Sequence, residues 1–268
     1  MKQVTNIGLT EVQRVYSGVE GELWGLIMGQ QIHIGGFRSS LDLAQRAGIQ
    51  AGWSGVDLCC CHGAGMRFLL RFFQVASMRG VDATAAVIQQ GQQRCQAEGL
   101  ADQIEFILAD ACQTGLPDGS FDFVWGEDAW CYVVDKPGLI AEAVRLVKPG
   151  GIIAFTDWIE GSQPLTEDEA VRLLRFMKFP SVQDLQGYTE LLSEHGCEVL
   201  VAEDTGRFAP HVDLYLHMLN MQLTYDALQI LDFDNVGLKA MADEMMGLQQ
   251  LAHAGKIAQG IFVARRKT

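Results

Sequence analysis

The apolar residues of this chain fall into short runs that alternate with longer amphipathic stretches. Each run is almost continuously apolar, which is typical of a strand buried on both faces, and the stretches between runs have helical spacing. The predicted strands are GVDLCC (55–60), SMRGVDA (77–83), IEFILAD (104–110), FDFVWGED (121–128) and IIAFTDW (152–158), and the predicted helices cover 66–76, 84–100 and 137–151. This alternation predicts a parallel, doubly wound α/β sheet.

The segments on either side of this region have a different pattern. Residues 1–50 are polar and mixed, with helical spacing around 9–17, 21–28 and 40–47. A helix (182–196) and a strand (197–204) extend the alternation, residues 207–258 are almost all helical in pattern, and 260–267 form a terminal strand. We therefore expect an N-terminal helical lid (1–50), a doubly wound core (51–206), a helical cap (207–258) and a last core strand (259–268).

Composition narrows the class of protein. The chain has 268 residues and a formal charge of −13, so a basic surface for nucleic acid is not expected. We find no run of about 18 apolar residues that could span a membrane, and the N-terminus lacks the apolar core of a signal peptide. Seven cysteines, three of them consecutive, argue against a secreted disulfide framework and for a reducing cytoplasm.

The turn after the first predicted strand, VDLCCCHGAG (56–65), carries cysteines where such turns usually carry glycine. Small residues there let the backbone approach a ligand beside a helix N-terminus, although cysteine resists positive φ. A soft-metal site needs three or four converging ligands, and no CxxC pair elsewhere supports one. We therefore expect the three cysteines to serve as small loop residues rather than as a metal or redox site. Two backbone conformations are then possible. The loop either keeps φ angles that L-residues tolerate, or it is shifted so that the ligand binds slightly differently.

Acidic residues follow the carboxyl ends of successive predicted strands, where doubly wound sheets bind ligands. Asp57 ends the first strand, Asp82 the second, Asp110 the third, and Glu127 and Asp128 the fourth. Asp82, some 20 residues after the loop, is placed to accept hydrogen bonds from ribose hydroxyls. An Asx turn is the simpler alternative for Asp110.

The order of these motifs resembles class I S-adenosylmethionine-dependent methyltransferases. VDLCCCHGAG is similar to their glycine loop, GVDAT to their ribose strand, ADACQTGLPDGSFDFVW to their adenine loop and fourth strand, and LIAEAVRLVKPGGIIAFTD to their helix and fifth strand. The resemblance implies a doubly wound Rossmann-like methyltransferase sheet with an N-terminal helical lid and a helical cap insertion before the last strand. It also implies S-adenosylmethionine as cofactor. The implied cofactor-binding residues are Tyr16, Asp57, Cys59, Cys61, Gly63, Asp82, Ala83, Asp110, Ala111 and Glu127.

A narrower resemblance to sarcosine and dimethylglycine N-methyltransferases rests on WGEDAWCYVVDK, FTDWIEG and FPSVQDLQGYTELLSEHGCEV. It implies methyl transfer to a small-molecule acceptor, favoured as an amine. The candidate catalytic residues are His33, Glu127 and His211, and the candidate substrate residues are Trp130, Asp157, Trp158, His211 and Tyr215. For each of these, packing or hydrogen bonding is the competing interpretation.

Three alternatives stay open at this level. An O- or C-methyltransferase would need a base, for which His33 or His211 would serve. A non-catalytic protein that keeps the fold is supported only by the cysteines at glycine positions. A nicotinamide-dependent oxidoreductase is disfavoured by the absence of a GxGxxG motif. The sequence also leaves a homodimer open.

Overall fold

The computed structural model describes residues 2–268. The strands are β1 (Lys2–Gln3), β2 (Ser54–Leu58), β3 (Ser77–Asp82), β4 (Ile104–Leu108), β5 (Phe121–Glu127), β6 (Val147–Glu160), β7 (Ser181–Val182), β8 (Cys197–Asp204) and β9 (Ile257–Arg266). The α-helices are α1 (Leu9–Tyr16), α2 (Val19–Met28), α3 (Gly36–Ala47), α4 (Ala64–Phe73), α5 (Ala85–Ala97), α6 (Lys136–Leu146), α7 (Glu167–Met177), α8 (Leu185–Glu194), α9 (Phe208–Met221), α10 (Thr224–Ile230) and α11 (Asn235–His253). A single 3-10 turn covers Trp130–Tyr132.

Seven strands form one mixed sheet in the order β4-β3-β2-β5-β6-β9-β8. Strands β2 to β6 pair in parallel, as predicted. The sheet is mixed because β9, the predicted last core strand, inserts antiparallel between β6 and β8. An apolar run encodes burial on both faces but not the direction in which the strand enters the sheet.

Several elements differ from the sequence pattern. The helix expected over 137–151 ends at Leu146, and the Lys-Pro-Gly-Gly segment opens strand β6 instead. Helix α7 was not predicted, although Thr166 and Glu169 form a capping box at its start. Strands β1 and β7 pair with each other over two residues each, which is too short for a periodic signal.

The core has two clusters on the faces of the large sheet and a third beneath the lid and cap. Helices α1 to α3 precede the sheet, and α2 packs against α9 and α10 of the cap. Within residues 2–268, no helix is both long enough and apolar enough to cross a lipid bilayer. This packing leaves the carboxyl ends of β2, β3 and β5 covered by the N-terminal helices.

Candidate active site

A cavity of about 290 Å³ lies at the carboxyl ends of β2, β3 and β5. Its floor comes from the cysteine loop and the strand ends, and α1 with the segment before α3 covers it. Of the ten predicted cofactor residues, nine line this cavity, and the tenth, Gly63, is the N-cap of α4. The fold therefore brings the predicted residues together, and their contact with a cofactor stays a proposal.

The cysteine loop keeps the backbone conformation that favours glycine. The φ angles of Cys59 and Cys61 are 65° and 47°, and that of Gly63 is 71°. The alternative in which the loop avoids positive φ is therefore wrong. Non-glycine residues in this region cost about 1–2 kcal/mol each. The loop is held by hydrogen bonds from Cys60 N to Val81 O at 3.0 Å and from Gly63 N to Cys60 O at 2.8 Å.

Gly65, in the first turn of α4, allows the backbone to lie against the acidic end of the cavity. A Cβ on Gly65 would lie 2.6 Å from Glu127 Oε2 and 2.9 Å from Trp125 Nε1. Neither distance is acceptable for a real methyl group. The helix therefore presents its N-terminus, with unsatisfied N–H groups, directly to the cavity.

Asp82 ties the loop to the next strand. Its Oδ2 accepts a hydrogen bond from Cys61 N at 3.0 Å, and its Oδ1 accepts one from Thr84 N at 2.8 Å. Burial raises the pKa of this carboxyl, although the backbone donors oppose the shift. Above it, Gln13 Nε2 of the lid donates to Ala83 O at 2.7 Å. A carboxylate in this position suits a ribose diol.

Asp110 and Ala111 form the opposite end of the cavity. Asp110 Oδ1 accepts a hydrogen bond from Cys112 N at 2.8 Å, which is the Asx turn foreseen as the simpler alternative. Its side chain is exposed, so one oxygen can still face a ligand, while Ala111 is buried. This end therefore provides a polar rim and an apolar wall.

Three carboxyl groups meet at the other end of the cavity: Asp57, Glu127 and Asp128. Burial raises the pKa of Asp57 well above its usual range, and the charges of Glu127 and Asp82 add to the shift. Beside them, the buried Trp125 Nε1 has no acceptor within residues 2–268. Asp57 and the unused indole N–H fit a ligand that carries positive charge and an acceptor atom, as the amino-acid part of S-adenosylmethionine does. Glu127 and Asp128 can face a second charged group at the same end.

His33 lies in the lid, at the entrance to this acidic end. Its Nε2 lies 3.0 Å from Gly36 O, 3.2 Å from Ser40 Oγ and 3.3 Å from Glu127 Oε1. Ser40 Oγ donates to the same Glu127 oxygen at 2.7 Å. Because two of its neighbours are acceptors only, Nε2 carries a hydrogen in this arrangement. That nitrogen orients Glu127 and is not available as a proton acceptor.

Tyr132 is a cavity residue that sequence reasoning missed. Tyr16 OH donates to Tyr132 OH at 2.9 Å, and the two rings meet edge to face with centroids 5.5 Å apart. Burial raises the pKa of both phenols, so both are protonated. Tyr132 lies in WCYVVD, directly after the fourth strand, which is a signal of proximity that the sequence did contain.

The two predicted tryptophans do not line the cavity. Trp130 is fully buried, its Nε1 donates to Leu58 O at 3.2 Å, and its ring stacks on Phe155 with centroids 4.0 Å apart. Trp158 is also buried and packs edge to face against Phe208 of the cap. Both side chains point into the core because they continue the apolar faces of their own segments.

Asp157 is likewise not part of the cavity lining. It is fully buried, accepts a hydrogen bond from Cys131 N at 3.0 Å and accepts another from Tyr188 OH at 2.5 Å. Burial raises its pKa to about 6 although the Lys136 ammonium lies nearby. These two hydrogen bonds fix the segment after β5, and contact of Asp157 with an acceptor stays a prediction.

His211 and Tyr215 lie on α9, outside the cavity lining, where the cap packs against the lid. His211 Nδ1 contacts Arg207 O at 2.9 Å within its own helix, and Tyr215 OH accepts from Gly35 N at 3.4 Å. Neither side chain lines the cavity. The stripe on α9 is therefore part of the packing between cap and lid.

The loop thiols have little nucleophilic character. Burial raises the pKa of Cys59, Cys60 and Cys61, and it raises the pKa of Cys112 to about 12. In the part of the chain from residue 2 onward, no group of three or more His, Cys, Asp or Glu side chains is arranged to hold a metal ion. The cysteines act here as small loop residues.

Comparison with known proteins agrees with this geometry. Residues 56–155 match the family described as a methyltransferase domain. Phosphoethanolamine N-methyltransferase 3 of Arabidopsis thaliana is 24% identical over 88% of this chain, which spans 46% of that protein's length. The chain thus covers less than half of this curated relative.

Solved structures share the fold. A protein of Galdieria sulphuraria, provisionally assigned as a sarcosine dimethylglycine methyltransferase, superposes with a TM-score of 0.78 and 24% identity, covering 87% of this chain and 86% of its own. The [4+2]-cyclase SpnF also superposes with a TM-score of 0.78, at 20% identity and 97% coverage of both chains. The fold is thus shared by proteins named for different reactions. Residues 56–155 are thus similar to a methyltransferase domain, and the chain as a whole shares the fold of solved methyltransferases.

Proposed function

We propose that this protein transfers a methyl group from S-adenosylmethionine to the nitrogen of a small-molecule amine. The observation that carries the proposal is the acidic end of the cavity, where the Glu127 carboxylate is oriented by Ser40 and His33. A carboxylate in a partly closed site attracts an ammonium group and can take its proton. The N-methyltransferase names among the relatives support the same reaction class.

The residues of the chain position the reactants and move one proton. S-adenosylmethionine, when bound, supplies a methyl group on positively charged sulfur, and the acceptor nitrogen forms the new C–N bond while the C–S electron pair stays on sulfur. Glu127 takes the proton that an ammonium acceptor must lose first. The lid residues Tyr16 and His33 exclude water and align the acceptor, which is where most of the rate enhancement of such a displacement originates.

An O- or C-methyltransferase is the second candidate. It would need a base strong enough for a hydroxyl or carbon acid, and His33 is the histidine on the lid side of the cavity. Its Nε2 contacts Gly36 O, so only Nδ1 would be free to act as that base, whereas Glu127 already lies at the acidic end of the cavity. We therefore rank N-methylation first, and we keep a non-catalytic binding protein as the alternative from another class.

The first test is calorimetric titration with S-adenosylmethionine and S-adenosylhomocysteine. We expect micromolar binding of both, followed by release of S-adenosylhomocysteine when an amine acceptor is added. Binding without transfer to amines, but with transfer to phenols or carbon acids, would favour the second candidate. No binding of either compound would favour a protein that has lost the reaction.

We further propose a reducing cytoplasm as the compartment, since all seven cysteines are free thiols. Because the protein has a formal charge of −13, we propose a small-molecule acceptor and no nucleic-acid partner. The homodimer left open by the sequence stays a prediction, which light scattering coupled to gel filtration would test.

A further inference from the structure

We propose that the acceptor is an amine that carries neither a carboxylate nor a phosphate group. This inference rests on the proposed amine methylation and narrows its substrate class. Within residues 2–268, no lysine or arginine side chain lines the cavity, whereas Asp57, Asp82, Asp110, Glu127, Asp128 and Asp135 all do. At the acceptor end, an anionic group would meet Glu127 and Asp128 and no cationic side chain of the described cavity lining.

Two guanidinium groups, those of Arg67 and Arg94, lie near His62 of the cysteine loop, and neither side chain lines the cavity. Within residues 2–268, Arg94 Nη1 is buried without an acceptor beside the loop, whereas Arg67 already has its own partners. Arg67 is buried and donates through Nη1 to His62 O at 2.6 Å and through Nη2 to Gln30 Oε1 at 3.0 Å. Its Nε lies 3.0 Å from Glu98 Oε1. Turning it toward the cavity would break these contacts and leave the His62 carbonyl oxygen without this donor, which is costly.

The nearest ammonium group is held in the same way. Lys136 Nζ donates to Val133 O at 2.6 Å and to Cys131 O and Ser181 Oγ at 3.3 Å each, and the side chain is 1% exposed. His62, which does line the cavity, does not replace it, because burial and the nearby Arg94 lower its pKa to about 4. His62 is therefore neutral at physiological pH.

The N-terminus of α4 is the remaining feature of the cavity wall that favours an anion. It lies at Ala64 and Gly65, beside the loop and Asp57. It can serve one carboxylate, and S-adenosylmethionine brings its own. A second anionic group would have no comparable partner.

The acceptor end instead offers what an alkylammonium group needs. The rings of Tyr16 and Tyr132 meet at 81° and form an aromatic corner. Glu127 and Asp128 line the same end of the cavity. Aromatic faces beside carboxylates attract cations through both charge and the ring quadrupole. The geometry points to a neutral-tailed amine, unlike sarcosine, dimethylglycine or phosphoethanolamine.

The test uses three acceptors that share a dimethylamino group on a two-carbon chain. N,N-dimethylethanolamine ends in a hydroxyl, N,N-dimethylglycine in a carboxylate, and phospho-N,N-dimethylethanolamine in a phosphate. The release of S-adenosylhomocysteine gives kcat/KM for each. We expect the hydroxyl compound to exceed both anionic compounds by roughly a hundredfold or more, because a buried unpaired anion is strongly rejected.

A variant that adds a cationic side chain to the cavity wall tests whether the lack of one causes the preference for an uncharged tail. Ile32 lines the cavity beside His33. Ile32→Lys brings an ammonium group to the wall, and we expect it to narrow the ratio between the hydroxyl and carboxylate compounds by at least about tenfold. Ile32→Met has a similar length without the charge, so it should leave the ratio unchanged.

The possible results distinguish a failure of this inference from a failure of the proposed amine methylation. Equal or faster transfer to an anionic compound would overturn the inference while leaving amine methylation intact. If no acceptor is methylated but the cofactor binds, the same three compounds are titrated against the protein saturated with S-adenosylhomocysteine. Selective binding of the hydroxyl compound would then support the inference. Tighter binding of an anionic compound, or binding of none, would contradict it.

Discussion

At the scale of single residues, the left-handed backbone conformation of non-glycine residues marks the site. Cys59, Cys61 and Asp128 all have positive φ and all line the cavity. Such residues persist only when the surroundings determine their conformation, and they are frequent at functional sites. In this loop, hydrogen bonds to Asp82 and Val81 supply that constraint.

Replacing the two strained cysteines by glycine should relieve the strain. We expect Cys59→Gly and Cys61→Gly to keep or raise the free energy of unfolding, by up to about 1 kcal/mol each. Cys60→Gly is the matched control, because Cys60 is buried and its φ is not positive. It should lower the free energy of unfolding by about 1–3 kcal/mol. Urea denaturation measures all three, and equal losses at the three positions would contradict the strain argument.

Asp82 should decide cofactor affinity. Asp82→Asn keeps the shape but removes the charge that two backbone N–H groups and a ribose diol would share. We expect about 10- to 100-fold weaker binding of S-adenosylhomocysteine by calorimetry, because hydrogen bonds to charged groups contribute about 1.5–3 kcal/mol. Asp102→Asn, on an exposed turn, is the control. Unchanged affinity in Asp82→Asn would refute the assigned cofactor contact.

At the scale of elements, one side chain of the last strand holds the lid. Gln259 in β9 is fully buried, and its Nε2 donates to Ile34 O at 3.0 Å and to Asp128 Oδ2 at 2.8 Å. Asp128 Oδ2 also accepts from Ile34 N at 2.7 Å, and Thr205 Oγ1 donates to Gln259 Oε1 at 3.0 Å. Lid, sheet and the segment leading to the cap thus share one hydrogen-bond network.

Removing that amide should free the lid. We expect Gln259→Met to lower the free energy of unfolding by at least about 2 kcal/mol, because buried acceptors lose their donor. Limited proteolysis should then cleave the segment before α3 faster than in the unmodified protein. Gln186→Met, on the exposed side of α8, is the control. Equal cleavage rates in both variants would show that other contacts fix the lid.

At the scale of the whole molecule, a buried acid makes stability depend on pH. Asp157 is fully buried between Tyr188 and the chain after β5, and burial raises its pKa to about 6. The folded protein therefore binds this proton more tightly than the unfolded chain, whose carboxyl has its ordinary pKa. The resulting stability is fully present below about pH 4 and is lost as the pH rises through about 6.

Comparison with Asp157→Asn isolates this contribution. The difference in unfolding free energy between the unmodified protein and the variant should fall by up to about 3 kcal/mol from pH 4 to pH 7. Denaturant unfolding at several pH values measures it, with the exposed Asp102→Asn as reference. Parallel stability curves for the unmodified protein and Asp157→Asn would contradict the assignment.

The sequence by itself determined the alternation of strands and helices, the parallel pairing of β2 to β6, and the convergence of the predicted cofactor residues on one cavity. These features follow from local periodicity and from the rule that parallel strands end at one edge, so Asp57, Asp82, Asp110 and Glu127 converge. These features can be predicted because they depend on residues that are close together in the sequence.

Only the tertiary structure decided the direction of β9, the burial of Trp130, Asp157 and Trp158, and the pairing of Tyr16 with Tyr132. Each depends on contacts between segments far apart in the chain. Periodicity tells which face of an element is apolar but not which neighbour covers it. The charge of the cavity wall is decided in the same way, because it depends on where each nearby lysine and arginine finds its partner.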